Sequence, residues 1–268
     1  MRGRTGSTVR LLLLPFLAAG VVAAVPAVLE SPPNLLGPVA AFSGMQPGAP
    51  LPPDWQAVDL QRGVTAWSIV ADPEVGACLR GESAGEASGL QLVLGGDAAD
   101  ARRLLWAWRS DGPVEGSDLR RQEADDAPAR VTVSFDFEPP GLSRWDRLRH
   151  RIARRRLGPA VPGAAISYVW GNAEAVDSMF EGAYTSRVRV VVLRNADAPR
   201  DTWLQEERDL AADFRRAFGE EMPPVIGIGL LTDADDTGGR AATCYGDLSL
   251  LDGLATDGGA EPVPPSLR

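Results

Sequence analysis

The chain has 268 residues, of which 44% are hydrophobic and 24% charged, a length that fits one large β-rich domain or two small ones. A domain of this size buries roughly 70% of the surface of its unfolded chain, so a hydrophobic core can form without metals or disulfides. All 27 basic residues are Arg and the net charge is −9, which argues against general binding of nucleic acid or anionic lipid by the domain as a whole.

The first 27 residues have the pattern of a signal peptide. Three Arg residues and no acid accompany an apolar run over 11–25, and cleavage is expected after Ala24 or Ala27. An uncleaved anchor is the alternative, although an apolar run of about 15 residues is shorter than the ~20 that span a bilayer. We therefore expect an exported protein of the periplasm or cell envelope.

The middle of the chain predicts β-structure. Residues 28–54 are rich in Pro, Gly and Ala and predict a linker, and residues 252–268 predict a disordered tail. Between them, over 55–251, short apolar or alternating runs are separated by turn residues. These runs are 65–71, two within 77–94, 104–109, 130–137, 164–170, 187–193, 225–231 and 241–248. Eight to ten such strands predict an all-β sandwich or barrel.

Two segments predict short helices. Asp209 is expected to cap a helix that Gly219 ends, because Asp accepts hydrogen bonds from free N–H groups and Gly adopts the left-handed conformation. A second helix is expected over 142–157, where seven Arg residues surround a thin apolar stripe. The stripe consists of Trp145, Leu148 and Ile152, with Leu157 as a fourth candidate.

Several short motifs together resemble a bacterial family, domain of unknown function 3047, over about residues 55–251. The motifs are Trp106-Ala107-Trp108-Arg109, Asp125-Asp126 with Ala129-Arg130-Val131, Tyr168-Val169-Trp170-Gly171-Asn172, Glu207-Arg208-Asp209-Leu210 leading to Phe214 and Gly219, and Thr232-Asp233-Ala234-Asp235-Asp236-Thr237-Gly238 followed by Arg240 and Tyr245-Gly246-Asp247. The resemblance implies an exported jelly-roll-like β-sandwich, similar to carbohydrate-binding modules, with no assigned activity. The family often has Asn where Asp236 stands.

A set of polar and aromatic residues makes a candidate ligand surface. The set is Asp125, Asp126, Arg130, Tyr168, Trp170, Asn172 and Arg240. Flat aromatic rings stack on sugar faces, and Asp, Asn and Arg hydrogen-bond to hydroxyls or anions. The alternative is that the aromatic residues belong to the core and that Asp–Arg pairs tie loops together.

The loop 233–238 is a candidate calcium site. Asp233, Asp235 and Asp236 supply three carboxylates, the ligands that Ca²⁺ prefers, and Gly238 permits a tight turn. The alternative is a loop whose Asp side chains cap the backbone and pair with Arg.

Cys78 and Cys244 are the only cysteines. In an exported protein two thiols can pair, and a bridge here would close a very long loop; two buried free thiols are the alternative.

Catalytic chemistry has little support in the sequence. Paired carboxylates could serve a glycosidase, but the lone His150 lies in the Arg-rich segment, which is a poor place for the held imidazole of a nucleophilic triad.

Three functional hypotheses follow. The first is non-catalytic binding of a carbohydrate or similar polar ligand in the bacterial envelope. The second is an envelope glycoside hydrolase or lyase. The third is a structural envelope protein that docks through the Arg-rich helix, and residues 144–156 are in addition a candidate peripheral membrane contact.

Overall fold

Thirteen strands, two α-helices and three short 3₁₀ turns make up the part of the chain that the computed structural model describes, residues 35–98, 100–157 and 162–252. These residues belong to one unit, Pro32–Arg268, and the predicted signal peptide and nearly all of the predicted tail lie outside them. The strands are β1 (Leu35–Ala40), β2 (Trp55–Arg62), β3 (Ala66–Asp72), β4 (Gly76–Ser83), β5 (Ala87–Val93), β6 (Ala101–Ser110), β7 (Ala129–Phe135), β8 (Ala164–Trp170), β9 (Met179–Gly182), β10 (Thr185–Arg194), β11 (Leu204–Asp209), β12 (Val225–Asp233) and β13 (Ala241–Asp252). The helices are α1 (Arg144–Leu157) and α2 (Leu210–Phe218).

The strands form two sheets. Sheet A has the order β11-β6-β13-β4-β3, with β1 paired to the second half of β13, and sheet B has the order β2-β5-β12-β7-β8-β10-β9. The pairs are antiparallel except for β8 and β10, which run parallel. The predicted all-β sandwich with two short helices is therefore confirmed.

Aromatic rings from both sheets meet in the core. Trp106 and Trp108 lie on one face of β6 because side chains two residues apart in a strand point the same way. Across the core, Trp106 contacts Tyr168 with ring centroids 5.5 Å apart, and Trp108 contacts Trp170 at 6.2 Å. All four side chains are almost completely buried, so they supply much of the area that holds the sheets together.

A buried tyrosine adds a polar link between the sheets. Tyr245 of β13 donates a hydrogen bond to the carbonyl oxygen of Leu231 in β12 at 2.7 Å, and its hydroxyl lies 2.9 Å from Thr232 Oγ1. The backbone N–H of Arg130 in β7 donates to the same hydroxyl at 3.3 Å. The link fixes sheet A against the end of β12, where the acidic loop begins.

The sandwich begins earlier than residue 55, where the sequence places its start. Residues of the expected linker form β1, and Phe42 behind it is completely buried against Trp55 with ring centroids 5.9 Å apart. The sequence did not predict β1 because Pro and Gly in this stretch interrupt the alternation of apolar and polar residues that indicates a strand. Strands β2, β9 and β11 were also not predicted; their burial patterns show that most of their side chains are exposed or half-buried.

Both helices form where the sequence predicts them. The Asp209 carboxylate accepts from the N–H of Ala212 at 2.9 Å, and Gly219 ends α2 with φ 74°. Phe214 of α2 packs on Phe135 of β7 with ring centroids 4.8 Å apart. Among the described residues, neither helix is long and apolar enough to cross a bilayer.

Cys78 of β4 and Cys244 of β13 form a disulfide within sheet A. The two Cα atoms are 5.6 Å apart, although the residues are separated by 166 positions. Both side chains are buried. The bond therefore closes most of the domain into one covalent loop.

We expect reduction of this disulfide to lower the free energy of unfolding by about 5 kcal/mol, because the unfolded chain regains the entropy of a very long loop. Urea unfolding with and without reductant measures the loss. A Cys78→Ala/Cys244→Ala variant should unfold like the reduced protein and should not respond to reductant. Equal stability of the oxidised and reduced proteins would contradict this expectation.

Candidate functional site

The candidate site lies on the face of sheet B that points away from the core. In β7 the side chains of Val131 and Val133 enter the core, so the period of two turns Arg130 outward. Strand pairing lines up three further positions there, because Asp233 of β12 lies opposite Ala87 of β5, which lies opposite Arg62 of β2. Four neighbouring strands thus contribute to one place.

A buried ionic cluster forms the floor of the site. The Arg130 guanidinium donates to Asp125 Oδ1 at 2.8 Å and, through Nε, to Asp233 Oδ1 at 3.2 Å. The backbone N–H of Ala127 also donates to Asp233 Oδ1 at 3.2 Å. Arg130, Asp125 and Asp233 are each less than a tenth exposed. Two carboxylates therefore share one guanidinium in a poorly solvated place.

Burial changes the acidity of both carboxyl groups. Burial raises the pKa of Asp233 to about 7. The positive charge of Arg130 lowers this pKa only in part, because the same guanidinium also pairs with Asp125. Burial likewise raises the pKa of Asp125. Asp233 is therefore a carboxyl group that changes its protonation near neutral pH.

Asp126 holds the acidic loop in place. Its carboxylate accepts from the N–H of Asp236 at 3.0 Å, and from the N–H and Oγ1 of Thr237 at 2.7 and 2.6 Å. Asp126 is completely buried, so these bonds replace the water that its charge has lost. Segment 125–127 and loop 233–238 are consequently one rigid unit.

Arg62 and Tyr184 form the rim. Arg62 contacts both Asp235 and Asp236, with 2.7 Å to Asp236, and these hydrogen bonds raise the pKa of its guanidinium. The Tyr184 hydroxyl, brought in by the turn between β9 and β10, donates to Asp236 at 2.7 Å. Together with the floor they line a cavity of about 290 Å³. Its lining is Leu60, Arg62, Ala87, Asp125, Arg130, Tyr184, Leu231, Asp233, Asp235 and Asp236.

Two of the predicted ligand residues lie elsewhere for a clear physical reason. Tyr168 and Trp170 are completely buried between the sheets, and the Tyr168 hydroxyl donates to Asp213 at 2.9 Å. No solute can stack on them, so their role as a sugar platform is withdrawn and the alternative, a core role, replaces it. The residue between them, Val169, faces outward and packs with Val190 and Val192.

The other two residues also do not line the cavity. Asn172 donates from Nδ2 to the carbonyl oxygen of Ser117 at 3.2 Å and so ties two loops together. Arg240 is exposed beyond the acidic loop. The structure therefore brings together Asp125, Asp126 and Arg130 of the predicted ligand set, and joins to them the acidic loop.

Arg62 and Tyr184 were missed by the sequence analysis. Arg62 ends a strand that is mostly exposed, and Tyr184 sits in a turn between two strands, so neither stands in a motif. Their contacts to Asp236 come from positions 174 and 52 residues away, which no local pattern reveals.

The carboxylates do not fit a calcium ion as they are arranged. Oxygens of Asp126, Asp235 and Asp236 lie within 4.8 Å of one another, whereas the predicted ligand Asp233 turns away to Arg130. Asp126 already accepts three hydrogen bonds, and Arg62 supplies the positive charge between the other two. A cation would have to displace that guanidinium.

We expect Asp233 to make stability depend on pH. Its folded-state pKa is about 7, above the ~4 of an exposed Asp, so its contribution is fully present below about pH 4 and is lost as the pH rises to about 7. The loss is on the order of 4 kcal/mol. Asp233→Asn keeps an oxygen for Ala127 and Arg130 but cannot ionise. Urea unfolding from about pH 4 to pH 8 should show wild type losing stability relative to the variant; parallel curves would contradict this.

We expect millimolar Ca²⁺ to leave the melting temperature of wild type unchanged relative to EDTA, because the Arg62 guanidinium already lies between the carboxylates of Asp235 and Asp236. Arg62→Gln removes that charge, and calcium should then stabilise the variant by RT ln(1 + [L]/Kd). Glu220→Gln, at an exposed position outside the site, is the control. A calcium-dependent rise in wild type equal to that in Arg62→Gln would show that Arg62 does not occupy the cation's place.

Comparisons with solved structures give distant similarities. The N-terminal CBM22-1-CBM22-2 tandem domain of Paenibacillus barcinonensis Xyn10C is 14% identical at a TM-score of 0.35, over 88% of this chain and 50% of that one. The CBM22-1 xylan-binding domain of Paenibacillus barcinonensis Xyn10C is 12% identical at a TM-score of 0.35, over 84% of this chain and 99% of that one. A loop-swap mutant of Necallimastix patriciarum Xyn11A is 12% identical at a TM-score of 0.30, over 74% of this chain and 98% of that one. The chain spans half the length of the tandem domain.

Sequence comparison identifies the family. No curated protein matches the chain. The family model described as "Protein of unknown function (DUF3047)" matches residues 53–249, which include every residue that lines the cavity. The resemblance seen in the motifs is thereby confirmed, and this chain belongs to the DUF3047 family.

Proposed function

We propose that the cavity on sheet B binds a small polyhydroxylated ligand, such as a sugar of the cell envelope, without transforming it. The observation that carries this proposal is the close alternation of donors and acceptors around one cavity. Arg62 and Tyr184 face the carboxylates of Asp235 and Asp236 at the rim. A hydroxyl group both donates and accepts, so it can replace either partner in these contacts.

The walls of the cavity suit the apolar side of a sugar ring. Leu60, Ala87 and Leu231 line it between the polar groups, and Leu60 is 41% exposed. A volume of about 290 Å³ stands at the lower end of ligand sites, roughly 300–1,000 Å³, and therefore favours one or two rings. Location in the envelope rests on the predicted signal peptide over 1–27.

Rigidity supports binding at this place. The floor is held by Arg130 and the acidic loop by Asp126, so little conformational entropy remains to be lost when a ligand enters. The ligand must still displace the contact between Arg62 and the loop, which favours a ligand that offers several hydroxyl groups together.

We expect a saturable rise in melting temperature with the right sugar in a panel of mono- and disaccharides. At about 100 times Kd the stabilisation is about 2.7 kcal/mol. Asp235→Asn and Tyr184→Phe each remove one polar contact at the rim and should weaken binding about tenfold. Glu220→Gln should bind like wild type. Equal affinity of the rim variants and wild type would place the ligand elsewhere, and no rise with any sugar would refute the proposal.

A hydrolase or lyase at the same cavity is the second candidate, and the raised pKa of Asp233 is the observation that favours it. A carboxyl group that is partly protonated near neutral pH can act as a general acid, with a second carboxylate opposite it. Product analysis of the bound sugar decides between the two functions. Turnover that disappears in Asp233→Asn while binding persists would establish the enzyme, and an unchanged sugar would establish the binding protein.

A further inference from the structure

Helix α1 carries a concentration of positive charge that the proposed function does not use. Its 14 residues contain seven Arg and one Asp, although the whole chain has a net charge of −9. Outside the helix, acidic residues outnumber Arg. The helix is thus a basic patch on an acidic protein.

One face of α1 attaches it to the sandwich. His150 Nε2 lies 2.8 Å from the carbonyl oxygen of Pro162, Arg154 pairs with Asp136 at 2.8 Å, and Arg147 pairs with Glu138 at 3.1 Å. Positions 147, 150 and 154 are three and four residues apart and therefore share a face. All of these attachments are polar.

The apolar stripe lies on the nearly opposite face. Trp145, Leu148 and Ile152 are also spaced by three and four residues, but at about 100° per residue their stripe points roughly 150° away from the attached face. Trp145 is 71% exposed, Leu148 40% and Ile152 42%. The residues that normally bury a helix against its own domain here point into solvent.

Arginines flank this stripe. Arg144, Arg151 and Arg155 lie on one side and Arg149 on the other, and all four are exposed. Among the side chains that the structure describes, none forms an ion pair with these four arginines. Arg151 and Arg155 also line a cavity of about 540 Å³ between α1 and residues 136–138. Arg147 and Arg154, which pair with Glu138 and Asp136, line the same cavity.

We propose that α1 docks on an anionic lipid surface, lying in its plane with the apolar stripe in the boundary between headgroups and acyl chains. In a short helix with an apolar face and Arg on both flanks, the apolar side chains can enter the acyl layer while the arginines remain among the anionic headgroups. Trp145 suits it because an indole ring has an apolar body and a polar N–H. The acidic remainder of the domain is repelled by the same surface, so the helix is the part that approaches it.

Quenching of Trp145 tests the docking directly. Full-length protein is mixed with vesicles of phosphatidylcholine that contain about 30% phosphatidylglycerol, with bromine on the acyl chains, because brominated chains quench only a ring that enters their layer. The signal is the difference in quenching between wild type and Trp145→Phe. Residues 1–54 contain no Trp. If the protein bound the vesicles only through the predicted signal segment, Trp145 would stay outside the acyl layer and the difference in quenching would be zero.

We expect Trp145 to be quenched by the anionic vesicles, and the quenching to fall with rising salt and to vanish with pure phosphatidylcholine. Identical quenching in wild type and Trp145→Phe overturns the proposal. Equal quenching of Trp145 by vesicles without phosphatidylglycerol also overturns it, because the arginines would then have no part.

A matched pair of charge variants tests the arginines. Arg151→Gln/Arg155→Gln should lower vesicle affinity about 25-fold, since each basic residue near an anionic surface contributes about fivefold. Arg200→Gln/Arg240→Gln makes the same change in charge at exposed positions outside α1 and should bind like wild type. Equal losses in the two double variants would refute a role for the helix.

A second copy of the chain is the competing occupant of the stripe. Sedimentation of the protein without vesicles measures its oligomeric state and so distinguishes a second copy from a lipid surface. A dimer that Leu148→Ser/Ile152→Ser converts to a monomer would show that the stripe is a protein interface and would overturn the lipid proposal. The same size for wild type and this variant supports it.

Discussion

The end of sheet B that carries the candidate site is arranged around one constraint, the burial of the Arg130 charge. The strand period places Arg130 on the outer face of β7, and the segments that cover this face remove it from water. A buried guanidinium requires partners with good geometry, because an unpaired charge costs several kcal/mol. Asp125 and Asp233 supply them from the segment before β7 and from the end of β12. The positions of both segments follow from this pairing.

The remaining features of the site are consequences. Burial raises the pKa of Asp233 to about 7, and Arg130, which also pairs with Asp125, offsets this shift only in part, so Asp233 is partly protonated near neutral pH. Asp126, next to Asp125 in the chain, is carried to the acidic loop and fixes it through three hydrogen bonds. Asp235 and Asp236 are thereby displayed at the rim, where Arg62 and Tyr184 meet them. Stability and the proposed ligand recognition therefore depend on the same few contacts.

Two surfaces of this protein differ in how they are built. The cavity on sheet B combines many fixed hydrogen-bonding groups in a small volume and suits a small polar molecule. Helix α1 pairs with the sandwich through Arg147, His150 and Arg154 and presents an apolar stripe between arginines, which suits an extended charged surface. The acidic remainder of the domain does not prevent α1 from carrying a basic surface. At physiological salt, the electrostatic interaction between exposed charges is largely screened beyond about 8 Å.

The aromatic residues of β8 show how strand alternation outweighs residue type. Tyr168 and Trp170 have the chemistry of a sugar platform, and type alone assigns them to a binding face. They share a face of β8 with Ile166, and that face meets Trp106 and Trp108 across the core. The period of two was visible in the sequence, but which of the two faces meets the other sheet was not. The second sheet decides this, and it consists of strands distant in the chain.

The sequence by itself determined the sandwich class, most of the strands, both helices and the family, because period, caps and motif order are local properties. It also marked Asp125, Asp126 and Arg130 as members of one candidate ligand set and the acidic loop as a separate candidate site. Only the tertiary structure decided that Asp233 turns inward to Arg130, and that Arg62 and Tyr184 close the rim. It likewise decided that β1 belongs to sheet A. The physical reason is that a strand is satisfied by partners from anywhere in the chain, so the identity of its neighbours, and of the charges that meet between them, is set by packing and not by local pattern.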